Sequence, residues 1–103
     1  MAQAFGEKIF CFVRYQVKEG QRQALMDAIN EKKIQERYQS QPGNIEYSFF
    51  APTNDANALF LVDIWEDQKT FDAHLNTDVG PDFAEIKKEY ITDTKLQFQF
   101  GGK

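Results

Sequence analysis

Asp63, Trp65 and His74 are the residues of this chain whose types and spacing suit chemistry. Trp65 is the only tryptophan and His74 the only histidine; they lie nine positions apart, and the acid stands two residues before the indole. An imidazole with an ordinary pKa of about 6.5 takes a proton from a phenol or an enol near neutral pH. A phenolate or enolate gives an electron to oxygen far more readily than its neutral parent, so a protein that binds, deprotonates and excludes water does much of the work. An indole stacks on a flat substrate and offers its N–H to a substrate oxygen. A carboxyl beside them orients the imidazole and fixes its tautomer, or acts as an acid of raised pKa. Each residue also has a quieter reading. His74 is then a helix-end histidine helped by the helix dipole, Trp65 a core anchor, and Asp63 half of a salt bridge with Arg14 across the sheet.

Supporting groups stand nearby. Arg14 either steadies a developing anion or lies on the rim. Tyr47 either hydrogen-bonds a ligand or fills the core. Phe10, Phe12, Phe49, Phe98 and Phe100 are walls in both readings. The single cysteine, Cys11, sits in an apolar run with nothing basic beside it, which predicts an inert buried thiol. It permits no intrachain disulfide, and one histidine with one isolated cysteine makes a poor structural metal site. No glycine-rich phosphate loop follows a strand, and no nucleophile elbow occurs.

Positioning these residues requires a set of short elements. Residues 8–17, KIFCFVRYQV, read as a strand with large apolar groups on both parities, so both faces are covered at least in part. Val13 and Val17 belong to the parity that faces helices; Phe10, Phe12 and Arg14 take the other. Residues 20–39 are helical in composition, but five positions separate Ile29 from Ile34. That step turns the apolar stripe away, so either the second half contacts something else or the helix breaks near Lys32. SQPGN stops it. Residues 44–50 and 58–66 read as two strands joined by the turn cluster APTNDAN, an antiparallel hairpin. Asp67 caps a short helix, DQKTFDAHL. A second helix, PDFAEIKKEY, starts at Pro81, and residues 91–100 alternate as a last strand. The order β-α-β-β-α-α-β is the split βαβ pattern of the ferredoxin-like class, a four-stranded antiparallel sheet with helices on one face.

The bulk numbers agree with a single α+β domain over residues 1–103, its core roughly 8–100. Apolar residues make up 42% and aromatic residues 15%, with ten Phe. So much apolar carbon in so short a chain predicts a ligand cavity or a subunit interface. The helix-free face would carry several large apolar groups, each worth roughly 1.5–3 kcal/mol when buried, so sheet-on-sheet dimerisation is expected. A net charge of −4 and the absence of a long Lys/Arg cluster speak against nucleic acid. No apolar stretch approaches a membrane span, and MAQAFGEK lacks the form of a signal peptide, so no membrane partner and a cytoplasmic location are expected. The final GGK reads as a frayed tail.

Three segments, VRYQVKEGQ, QPGNIEYSFF and LFLVDIWEDQKTFDAHL, together resemble the antibiotic biosynthesis monooxygenase domain. Asp63-Ile64-Trp65, Phe71 and His74 match its last block in order and spacing. Asp63 stands where the family often has Glu, and Leu61 where some members place a polar group. The resemblance implies a dimeric α+β barrel that acts on quinols or polycyclic phenols without metal, flavin or haem. It also embraces isomerases of phosphorylated sugar-like signals and haem-degrading relatives. The expectation is therefore a homodimer with a cofactor-independent monooxygenase or quinol oxidase activity on a small aromatic or phenolic compound. An isomerase of a small carbonyl signal, or a non-catalytic ligand-binding dimer, stand as alternatives.

Overall fold

The computed structural model describes residues 7–100, the side chains of residues 98–100 excepted; the wall residues Phe98 and Phe100 and the tail GGK therefore lie outside the described side chains and residues, respectively. The elements run β1 (Ile9–Val17), α1 (Arg22–Glu31), α2 (Ile34–Gln39), β2 (Asn44–Phe50), β3 (Ala58–Trp65), α3 (Gln68–His74), α4 (Val79–Tyr90) and β4 (Ile91–Phe100). The strands form one sheet in the order β2-β3-β1-β4, and all three neighbouring pairs are antiparallel. This is the expected ferredoxin-like α+β fold.

Period-two alternation sorts the strand residues onto two faces. On β1 the row Ile9, Cys11, Val13, Tyr15 and Val17 is buried throughout. From Cys11 onward the row packs with Leu25 and Ile29 of α1, Ile34 and Tyr38 of α2, and Phe83 and Ile86 of α4 into one core. The five-residue step between Ile29 and Ile34 is resolved by a break. Lys33 takes a left-handed conformation, φ 54°, so α2 starts afresh with its apolar side turned back to the sheet. At α4 the helix begins two residues before Pro81. Proline fits there because the first-turn N–H groups have no intrahelical acceptor to lose.

The other row of β1 carries Phe10, Phe12 and Arg14, as the parity predicts. Phe12 is 38% exposed and Phe50, at the β2 edge, 51%. With Phe60, Val62 and Lys95 they line an apolar cleft of about 660 Å³ on the helix-free side of the sheet. Among the described residues no helix is long and apolar enough to cross a membrane.

Candidate active site

The site is built from β3 outward. Leu59, Leu61, Asp63 and Trp65 share the parity that faces the helices, and all four are buried. Neighbours two apart on one face of a strand lie side by side. The Trp65 indole N–H therefore reaches back to the Asp63 carboxylate, donating at 2.6 Å. Trp65 is completely enclosed. The register sets Cys11 of β1 opposite Asp63 on one side and Tyr47 of β2 on the other.

α3 brings His74 onto this surface. Asp67 caps the helix as expected, its carboxylate accepting from the Thr70 N–H at 2.8 Å. His74 sits in the last turn, where its ring stacks on Trp65 with centroids 4.4 Å apart and planes 19° from parallel. Tyr38 meets the imidazole edge-on at 5.7 Å, and Phe71 lies against it at 4.9 Å. Tyr38 in turn stacks on Tyr47 at 4.3 Å. His74 is buried, not a solvent-facing helix end.

Contacts before and after the helix place α3. Gly43, in the turn before β2, has φ +85°, and a β-carbon there would meet the Thr70 side chain at 2.4 Å. The Gly43 carbonyl also accepts from the Glu66 N–H at 2.8 Å. Beyond the helix, the Thr77 hydroxyl donates to the His74 carbonyl at 3.0 Å and accepts from the Gln41 amide at 3.0 Å. The amide oxygen of Gln41 is buried without a partner.

Electrostatics follow from burial. Asp63 is pushed up to about 7 by desolvation, partly offset by the Trp65 hydrogen bond. His74 is lowered from 6.5, chiefly by desolvation, against the opposing effects of the Phe71 carbonyl and Asp72. Nδ1 of His74 contacts the Phe71 carbonyl oxygen. A carbonyl only accepts, so Nδ1 carries the proton and the lone pair resides on Nε2. The phenols of Tyr15, Tyr38 and Tyr47 are all raised by burial, Tyr38 to about 12. The Cys11 thiol is pushed up to about 12, by burial first and then by Asp63, so it is the inert core thiol its sequence context predicts. The result is a neutral imidazole base beside a carboxyl that exchanges its proton near neutrality.

The predicted residues divide between the two faces of the sheet. Asp63, Trp65, His74, Tyr47 and Phe49 share the helix side, with Phe49 edge-on to Tyr47 at 5.6 Å. Phe10, Phe12 and Arg14 lie on the other side. The expected Asp63–Arg14 salt bridge does not form. Arg14 pairs instead with Asp55 at 2.6 Å and rests over the Phe60 ring, because residues 14 and 63 have opposite parities in the β1–β3 register. Asp63 makes no hydrogen bond to the imidazole; it holds Trp65, and Trp65 carries His74. Sequence reasoning passed over Tyr38 and Tyr15 as site residues. Tyr38 reaches the site only because of the break at Lys33, although its shared stripe with Ile34 was a usable signal. Among the described residues no group of three or more His, Cys, Asp or Glu is arranged to hold a metal ion.

A split βαβ sheet with an acid–indole–imidazole set between sheet and helices defines a small ferredoxin-like α+β domain. Residues 9–88 match the antibiotic biosynthesis monooxygenase family, and the chain belongs to that family. No curated protein matches it. Among solved structures, a Pseudomonas aeruginosa protein superposes with a TM-score of 0.81 at 13% identity, covering 95% of this chain and 97% of its own. A Bacteroides thetaiotaomicron protein of unknown function gives 0.80 at 20%, covering 91% and 97%. A variant of SnoaB, a cofactor-independent oxygenase from Streptomyces nogalater, gives 0.77 at 12%, covering 94% and 95%. At these identities the likeness is one of fold.

Proposed function

We propose that the protein is a cytoplasmic, homodimeric oxidase or monooxygenase that acts on a small phenolic or quinol substrate without metal, flavin or haem. The observation that carries this reading is the buried stack of His74 on Trp65, with Asp63 bonded to the indole. A proton acceptor held neutral by desolvation and enclosed by aromatic rings suits the deprotonation of a flat, weakly acidic O–H.

In the proposed reaction Nε2 of His74 takes the phenolic proton of a quinol. The resulting anion gives two electrons to molecular oxygen, and its second O–H proton leaves with them. Oxygen gains two electrons and two protons and departs as hydrogen peroxide, and the ring is left as the quinone. His74 returns its proton to the peroxide and is restored. Asp63 fixes the indole, and the indole fixes the imidazole.

Two observations favour this over the other readings. Arg14 faces away from His74 and is engaged by Asp55, so a single chain does not bring it into an anion pocket of the kind a phosphorylated substrate would need. His74 is 8% exposed and stacked on Trp65, so the solvent-facing histidine that would favour a non-catalytic dimer is not found. Fusion of the apolar helix-free faces of two copies gives the dimer and screens the exposed phenylalanines. The test is oxygen uptake with a panel of quinols. His74→Ala should abolish uptake and leave the melting temperature and the sedimentation coefficient nearly unchanged. Equal loss of activity and stability would show that His74 acts as packing.

A further inference from the structure

A base that sits out of water must also hold its proton out of water. Once Nε2 of His74 is protonated, the imidazole is a cation in a buried place, a state that desolvation opposes. The usual compensation for a buried cation is a carboxylate in contact with it. Among the described residues none forms an ion pair with His74. Asp72, on the same helix, acts on the ring through its field alone, and its carboxylate accepts from the Gln68 amide at 2.8 Å. From α2 the facing group is Tyr38, a phenol kept un-ionised by burial. From β3, Asp63 has its oxygen on the indole and not on the imidazole.

What meets the imidazole broadside is the Trp65 ring. Centroids 4.4 Å apart and planes 19° from parallel lay the imidazole on the negative face of the indole π-system. A cation within about 6 Å of a ring centroid is attracted by the ring quadrupole, by tryptophan most strongly, and most of all where both groups are desolvated. Both conditions hold here, because Trp65 is completely enclosed and His74 is buried. Asp63 keeps the ring in place whichever way it titrates, since a carboxyl and a carboxylate both offer an oxygen that accepts from the indole N–H.

We propose that the indole face of Trp65 is the counter-charge of the His74 imidazolium. Trp65 is then a positioning residue that acts through the charge of His74 as well as through its placement. The neutral base gains little from the ring face and its conjugate acid gains much, so the contact strengthens as the proton arrives. The catalytic meaning of this contact rests on the base role proposed above; the contact itself does not.

The chain has one tryptophan and one histidine, so each can be addressed without a substitution. The experiment is an NMR titration of the His74 ring protons in the full chain, with Trp65 supplied biosynthetically as tryptophan carrying one, two or three fluorines on its benzene ring. Fluorine drains the π face and changes the size of the ring little. The His74 pKa should fall with each fluorine, by about half a unit or more over the series. An unchanged pKa would reduce Trp65 to packing and overturn the proposal. So would a rise toward the ordinary 6.5, which would show that fluorine had loosened the stack and that desolvation alone sets the base. Fluorine also makes the indole N–H more acidic, so the series is repeated in Asp63→Asn, whose amide oxygen still accepts but does not titrate. The dependence on fluorine should persist there; its disappearance would assign the effect to the carboxyl and overturn the proposal equally. No substrate enters the titration. A fluorine-dependent pKa with no oxygen uptake from any quinol would therefore keep this inference and remove the oxidase reading, and uptake with an unresponsive pKa would do the reverse.

Discussion

Asp63 and His74 are both buried ionisable groups, and burial drives their protonation in opposite directions. For Asp63 the folded pKa of about 7 lies above the ordinary 3.8, so between those values the folded state holds a proton the unfolded chain has lost. Its contribution to stability is therefore full below about pH 4 and disappears as pH rises through 7. For His74 the folded value lies below 6.5, so its contribution is present above 6.5 and is lost as pH falls. The two oppose each other in mild acid; above pH 6.5 the Asp63 slope remains, already under its ceiling of about 1.4 kcal/mol per pH unit and fading as pH passes the folded value of about 7. Wild type should thus lose stability between pH 6.5 and 7.5, and Asp63→Asn should flatten that part of the curve in thermal or urea unfolding. Parallel curves would mean that Asp63 is already ionised in the fold. That Asp63 and Trp65 share a face was legible in the sequence, because residues two apart on a strand lie on one side; that the carboxylate bonds the indole was not, and the sequence pointed it to His74 or Arg14 instead. The stack of His74 on Trp65 was not legible either, because it depends on where α3 docks.

The docking of α3 is the element on which the site turns. The helix is seven residues long, too short to be stable without tertiary support. Its Asp67 cap, its fit of Thr70 against Gly43 and the Gln41–Thr77–His74 hydrogen-bond run hold it to the turn between α2 and β2. Gly43 and Gly20 both have positive φ, +85° and +74°, but a β-carbon at Gly20 meets nothing within 4 Å. Gly20→Ala should therefore cost only the left-handed backbone penalty, about 1 kcal/mol. Gly43→Ala adds a steric conflict with Thr70 and should cost about 2 kcal/mol or more. It should also shift the Trp65 fluorescence as α3, which carries the stacked His74, moves away from the indole. Equal costs at the two glycines would show that α3 is not wedged against this turn. The helix itself was legible from Asp67 and the Phe71–Leu75 spacing, and Pro42-Gly43 marked the turn. Their contact joins residues 27 positions apart in sequence, which no local signal encodes.

For the whole molecule the sheet is the dividing wall between proposed chemistry and proposed assembly. One face holds the acid–indole–imidazole set under the helices. The other holds Phe10, Phe12, Phe50, Phe60, Val62 and the Arg14–Asp55 pair. A single domain rarely leaves such a surface open. Phe12→Glu, placed near the middle of the helix-free face on a central strand, should convert a dimer to monomers at micromolar concentration in sedimentation velocity, with the far-ultraviolet circular dichroism retained. A wild-type monomer at that concentration would remove the dimer from the account.

By itself the sequence determined the order of elements, the turn of the apolar stripe between Ile29 and Ile34, the two alternating rows of each strand and the place of Asp63 and Trp65 in one such row. These follow from period-two and period-3.6 patterns, caps and turn residues, all set by neighbours close in the chain. Only the tertiary structure decided that Arg14 and Asp63 stand on opposite sides of the sheet and that Tyr38 and His74 meet. Those outcomes depend on strand register and helix docking, which are fixed by contacts between distant segments competing for the same core volume.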